Sequence, residues 1–133
     1  MTGIVTDTHP IFALLHQHGA LAFWDCAAAA PYIAIEMYAE AGGDPQSYKD
    51  AIILSAHKLI GGPSTPGVLV VRRALLVNRV PDVPGGGTVG YVNPTEHAYL
   101  TDPAQREEGG TPAIVESIRA GLVIQLNRLS GSR

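Results

Sequence analysis

Two short apolar runs, each ending in residues that carry chemistry, constrain this chain more than any other feature. Leu21-Ala22-Phe23-Trp24 runs into Asp25, and Ala51-Ile52-Ile53-Leu54 runs into Ser55-Ala56-His57-Lys58. Runs this short between polar breaks read as buried strands. A helical pattern precedes the first of them. Ile11, Leu14 and Leu15 share a face over Pro10 to His18, Pro10 suits a first turn with Asp7 or Thr8 as caps, and Gly19 stops the helix. A helix leading directly into a strand points to an α/β unit. In open α/β sheets, ligands bind outside the carboxyl ends of the strands, so Asp25 and the Ser55–Lys58 group are expected to face one crevice. On spacing alone, Asp25 and Lys58 fit a plain ion pair at a strand end equally well.

The rest of the chain adds turns, a third strand and two further helices. Ala27-Ala28-Ala29-Ala30 and Pro31 read as a tight turn leading into a helix around Ile33–Ala41, which Gly42-Gly43-Asp44-Pro45 breaks. After the Gly61–Gly67 loop, Val68–Val71 reads as a third strand and Arg72–Leu76 as a short helix or turn. Pro81 to Gly110 is loop-rich, and a loop that long in a compact domain is usually functional or incomplete. Pro112 to Leu129 reads as an amphipathic helix, with Val115, Ile118, Leu122, Leu126 and Leu129 as its apolar stripe.

Composition excludes several classes of function. A net charge of -3 argues against nucleic acid, whose phosphates need a basic surface. At 133 residues, with 46% apolar and 16% charged side chains, the chain has the size and balance of one globular domain. No apolar run reaches the ~18 residues needed to span a bilayer, so no membrane partner is expected. Met1 to Asp7 carries no basic segment followed by an apolar stretch, so no secretory signal is expected there. The single cysteine, Cys26, precludes an intrachain disulfide and suggests a reducing compartment, cytoplasmic or organellar.

Four motifs, in order along the chain, carry the function. Ser55-Ala56-His57-Lys58-Leu59-Ile60-Gly61-Gly62-Pro63 is similar to the cofactor-lysine motif of the class V aminotransferase and cysteine desulfurase family, which uses pyridoxal 5'-phosphate (PLP). Trp24-Asp25-Cys26-Ala27-Ala28 resembles that family's aspartate strand. Pro84-Gly85-Gly86-Gly87-Thr88-Val89 resembles its glycine loop, and Arg106-Glu107-Glu108-Gly109-Gly110-Thr111-Pro112 its Arg-x-Glu-x-Gly-Thr-Pro segment. The resemblance implies a fold-type I large domain, α/β, with a mainly parallel mixed sheet flanked by helices. It implies an internal Schiff base on Lys58, with Asp25 against the pyridine nitrogen and Ser55 and His57 on the cofactor phosphate. Ala27 is grouped with these as a cofactor-binding position. Strand alternation is expected to set Ser55 and His57 on one side.

Thr111 has two compatible readings. It is a good N-cap, with Pro112 at the first helical position. The resemblance implies that it reaches the phosphate of a neighbouring subunit's cofactor, which makes the intact enzyme a homodimer. The implied substrate is an amino acid, handled by a cysteine desulfurase, selenocysteine lyase or aminotransferase.

The chain also departs from the family pattern. Ala28 stands where many members carry a glutamine that bonds the cofactor's phenolic oxygen. Family members run to several hundred residues, so residues 1–133 are expected to be an internal fragment of the large domain. The upstream part of that domain and the small domain would then be absent. The rival expectation is a non-catalytic, truncated pseudoenzyme or dimerisation fragment with the same fold.

Other groups weighed carry less. His9, His16 and His18 could suggest a metal, but His16 and His18 point to different helix faces and further ligands are lacking, so surface histidines are expected and no metal site. The Gly61–Gly67 loop lacks the Gly-Lys-Ser/Thr ending of a nucleotide loop. Glu107 and Glu108 read as solvated or paired with Arg106. Cys26 adjoins Asp25 on an extended segment and should point to the opposite face, so it reads as a buried small hydrophobe, not a desulfurase nucleophile. In the family the sulfur-accepting cysteine lies much later in the chain.

Overall fold

The computed structural model describes residues 3–38 and 43–129. It divides into two compact units, residues 1–71 with 115–133, and residues 72–114.

The first unit opens with helix α1 (His9–Gln17). The Asp7 carboxylate accepts from the His9 N–H at 3.2 Å, and Gly19 ends the helix at φ +68°. The face turned to the core is not the expected one. Phe12 is fully buried, whereas Ile11 and Leu14 are 37% and 55% exposed. Phe12 meets Trp24 edge to face at 5.5 Å between centroids, and burying such a ring contributes roughly 2–3 kcal/mol.

Three strands form the sheet in the order β1 (Phe23–Asp25), β2 (Ala51–Ser55), β3 (Gly67–Val71). β1 runs parallel to β2 with Asp25 opposite Ile53, and β3 runs antiparallel to β2 with Gly67 opposite Ser55. The sheet is therefore mixed. The register puts Trp24, Ile52 and Val70 on one face, and Asp25, Ile53 and Leu69 on the other. The first face is the covered one, with Trp24 against α1. Ile52 and Leu54 line a cavity of about 400 Å3 together with Ile124 of the long helix α3 (Ile114–Leu129). On the second face, Phe23, Ile53 and Leu69 are 58%, 46% and 63% exposed. The second face is thus open at these three residues, although Ala51 on the same face is buried.

Two helices differ from expectation. Residues 27–32 form the expected turns, but residues 33–38 are not helical, and 39–41 lie outside the described residues. Ile33, Ile35 and Met37 are half-buried, while Ala34, Glu36 and Tyr38 are exposed. That period of two is the mark of extended chain. The long helix α3 runs Ile114–Leu129 and buries Ala120 and Val123. Its predicted stripe points away from this core, with Val115, Ile118, Leu122, Leu126 and Leu129 between 50% and 85% exposed. The helix has two apolar faces, and the one bearing the smaller side chains packs inward.

The second unit resolves the loop-rich stretch into a hairpin and a short helix. β4 (Val89–Val92) pairs antiparallel with β5 (His97–Tyr99), with a bulge between Val89 and Tyr91. Asn93 makes the turn, its side-chain oxygen accepting from the N–H groups of Thr95 at 2.9 Å and Glu96 at 2.7 Å. Helix α2 (Pro103–Glu107) begins with Asp102 as its cap. The Gln105 N–H and the Arg73 guanidinium hold the Asp102 carboxyl below its usual range. No helix among the described residues is long and apolar enough to cross a membrane.

Candidate active site

Asp25 closes β1 and Ser55 closes β2, and parallel pairing brings both carboxyl ends to one edge of the sheet. Asp25 pairs with Ile53, so Ser55 lies two residues further along the same edge. The ladder continues one step, with the Cys26 N–H donating to the Ile53 carbonyl at 2.9 Å. The Asp25 side chain is fixed by the Ala27 N–H, which donates to Oδ1 at 2.8 Å. Ala27 itself is buried.

Beyond Ser55 the strand does not continue. Ala56–Lys58 is a single 3-10 turn, so the alternation expected to align Ser55 with His57 does not apply. The turn closes because the Leu59 N–H bonds the Ala56 carbonyl at 3.1 Å. Ala56 is buried and anchors it, while His57 and Lys58 are exposed. The following loop is tight. The Gly62 N–H bonds the Leu59 carbonyl at 3.0 Å, and the Thr65 hydroxyl donates to the Gly62 carbonyl at 2.6 Å.

The donor set suits a cofactor that carries an aldehyde, a phosphate and a cationic ring N–H. Lys58 and His57 have no side-chain partner among the described residues, and Asp25 has Oδ2 unengaged. One sheet edge thus presents an amine, an imidazole, a hydroxyl and a half-engaged carboxylate. Of two cavities, of about 490 and 400 Å3, neither is lined by Asp25, His57 or Lys58, and Ser55 lines the smaller. His57 and Lys58 are exposed, so their chemistry lies on an open edge.

Thr111 belongs to the second unit and is exposed. α3 starts at Ile114, so Thr111 is two residues too early to cap it and Pro112 is not in its first turn. The two motifs of the second unit do meet. The Gly110 N–H donates to the Gly86 carbonyl at 2.7 Å, and a β-carbon on Gly109 would fall 2.6 Å from the Val83 carbonyl oxygen. Arg106 is buried and lies 3.9 Å from Glu107.

Cys26 is buried, as expected, and burial pushes its thiol up; the Lys49 ammonium pulls it down and the Asp25 carboxylate adds to the rise. No metal-binding cluster of His, Cys, Asp and Glu occurs among the described residues. His16 is not a surface histidine. Its side chain is 8% exposed and its Nε2 lies 2.9 Å from the Asp50 carboxylate, itself 1% exposed. Sequence reading passed over Asp50 and Lys49, although two charges placed directly before an apolar run were a usable signal.

Known proteins share this fold and sequence. The aminotransferase class-V family profile matches residues 1–131. A probable cysteine desulfurase of Aeropyrum pernix is 32% identical over 132 residues, covering 97% of this chain and 30% of that protein. A cysteine desulfurase of Shigella sonnei is 34% identical over 102 residues, covering 77% of this chain and 23% of that protein. The apo cysteine desulfurase of Thermococcus onnurineus superposes with a TM-score of 0.77 at 26% identity, covering 98% of this chain and 30% of that one. The likeness agrees with the fold-type I architecture expected from the sequence, while the chain spans less than a third of these relatives' length. On motif order, profile match and fold together, this chain belongs to the class V aminotransferase family.

Proposed function

We propose that the chain is part of the PLP-binding large domain of an enzyme acting on an amino acid, with Lys58 holding the cofactor. One observation carries the reading: a lysine amine without a side-chain partner among the described residues follows the strand whose carboxyl end lies beside that of the Asp25 strand. Pyridoxal phosphate, when bound, supplies an electron sink. The side chains supply the rest. Asp25 Oδ2 would accept from the ring N–H, and its negative charge would keep that nitrogen protonated. Ala27 holds the carboxylate in place through its N–H. Ser55 and His57 would donate to phosphate oxygens. Lys58, when its amine is free, would take up and return a proton.

The relatives' names favour cysteine as substrate, with desulfuration ahead of transamination. In the intact enzyme, Thr111 would reach the phosphate of a partner subunit's cofactor, making it a homodimer. A non-catalytic reading draws on the openness of the edge, where His57 and Lys58 are exposed.

The test is to add pyridoxal phosphate to the 133-residue chain and to a longer protein carrying it, reduce with borohydride, and map the labelled peptide. Label on Lys58, absent from Lys58→Ala, supports the enzyme. An unlabelled Lys58 in the longer protein refutes it and leaves the non-catalytic reading.

A further inference from the structure

We propose that His16 is held as the imidazolium, and that its proton locks the β1–β2 register that carries Asp25 to the site edge. The argument rests on the ring's two neighbours. Nδ1 faces the backbone carbonyl of Gln46, which can only accept. Nε2 lies 2.9 Å from Oδ2 of Asp50. A neutral imidazole carries one N–H and satisfies one of these acceptors, whereas the doubly protonated ring satisfies both. The bond to Asp50 is shielded from water, with the two side chains 8% and 1% exposed, while the contact with Gln46 lies nearer solvent and still sets an acceptor against Nδ1. The Tyr48 ring stacks on the imidazole with 4.0 Å between centroids, and a π face favours a cation. A proton on Asp50 instead is disfavoured, because imidazole is the stronger base by roughly 2–3 pH units. The Ala22 N–H also donates to the same Asp50 oxygen at 2.8 Å, which favours the carboxylate.

The pair sits where the register is decided. The Asp50 N–H returns a bond to the Ala22 carbonyl at 2.9 Å, and the next pairs are Phe23–Ala51, Trp24–Ile52 and Asp25–Ile53. Asp50 clasps β1 to β2 at their entry, and His16 sets its charge against this buried carboxylate. A one-residue slip would turn Asp25 to the other face. His16 is thus a positioning residue for Asp25. That role rests on reading Asp25 as a site residue, but the protonation state does not.

Other charged groups nearby are engaged elsewhere. Lys49 lies over the Phe12 ring and donates to the Glu36 carbonyl at 2.7 Å. His9 pairs with Ser47 at 2.9 Å, and His18 is exposed. Holding the charged form raises the folded-state pKa of His16. Its stabilisation is therefore complete below the unfolded value of about 6.5 and is lost as pH rises through the folded one.

The test is nitrogen NMR of the histidine rings in the 15N-labelled 133-residue chain, from about pH 5 to 9. His16 is expected to keep both nitrogens protonated to a proton concentration at least about tenfold below that of the ordinary histidine midpoint, about pH 6.5. The Ala22 and Cys26 amide signals should move with it. Asp50→Asn should bring His16 back toward about pH 6.5. A neutral His16 ring at about pH 7, or titration near about pH 6.5, overturns the proposal. Titration of His16 with the Cys26 amide unmoved overturns the register role. These spectra need no cofactor, so their failure leaves the Lys58 labelling test intact.

Discussion

A β-carbon added at Gly62 would fall 2.0 Å from the Ala56 carbonyl oxygen and 2.9 Å from its carbon. The same carbonyl accepts the bond that closes the turn bearing Lys58. No side chain can swing aside there, because the obstacle is backbone. Gly62→Ala is therefore expected to destabilise the chain by roughly 3 kcal/mol and to displace the Ala56–Lys58 turn. Gly121→Ala, where nothing lies within 4 Å, should instead stabilise α3 by roughly 0.5–1 kcal/mol. Urea unfolding of both variants checks the contrast, and equal midpoints would refute it.

Ser64, two residues on, is the non-glycine residue with positive φ among the described residues, at 65°. The left-handed region costs an L-residue roughly 1–2 kcal/mol. Glycine avoids that cost but loses more entropy on folding, by up to ~1 kcal/mol. Ser64→Gly should thus gain roughly 0.5–1 kcal/mol, and Ser64→Val should lose stability. Thermal unfolding checks the order Gly above Ser above Val.

The site edge was legible in the sequence because its signals are local. A strand ending in Asp25 and another ending in Ser55 needed only apolar runs and their breaks. Helix faces were harder to read, because which apolar stripe turns inward depends on partners that periodicity does not name. In α3 two stripes compete, and the one with Ala120 and Val123 wins the core. Residues 33–38 have an apolar alternation that fits a period of two, whereas the turn before them and the glycine break after them suggest a helix, which these residues do not form. His16 was misjudged for a related reason. Its burial depends on Asp50, Gln46 and Tyr48, which lie some thirty residues away.

Cys26 offers a reporter of folding. Its thiol is 1% exposed, and burial raises its pKa, so little thiolate forms at neutral pH. It is expected to resist a thiol-specific disulfide reagent in the native chain and to react fully in denaturant. Fast native labelling would contradict the burial. It would also reopen Cys26 as a nucleophile.

Lys49 gives a stability profile of the opposite sign to that of His16. Burial is the main influence and lowers its pKa, while the Cys26 thiolate and the Glu36 carboxylate raise it. An unfolded lysine keeps its proton to about pH 10.4. Between the depressed folded value and that limit the unfolded chain binds more protons, so this group makes stability rise with pH. Below the window both states are charged, and the penalty for burying the ammonium is constant. Lys49→Met keeps a long unbranched side chain at this buried position, but loses the bond to the Glu36 carbonyl and the cation over the Phe12 ring. The difference in unfolding free energy between Lys49→Met and the parent chain should therefore shift in the parent's favour as pH climbs through this window. Titrations shared by both proteins, His16 included, cancel in that difference. A difference that stays flat between about pH 7 and 10 would show that Lys49 is not buried as a cation.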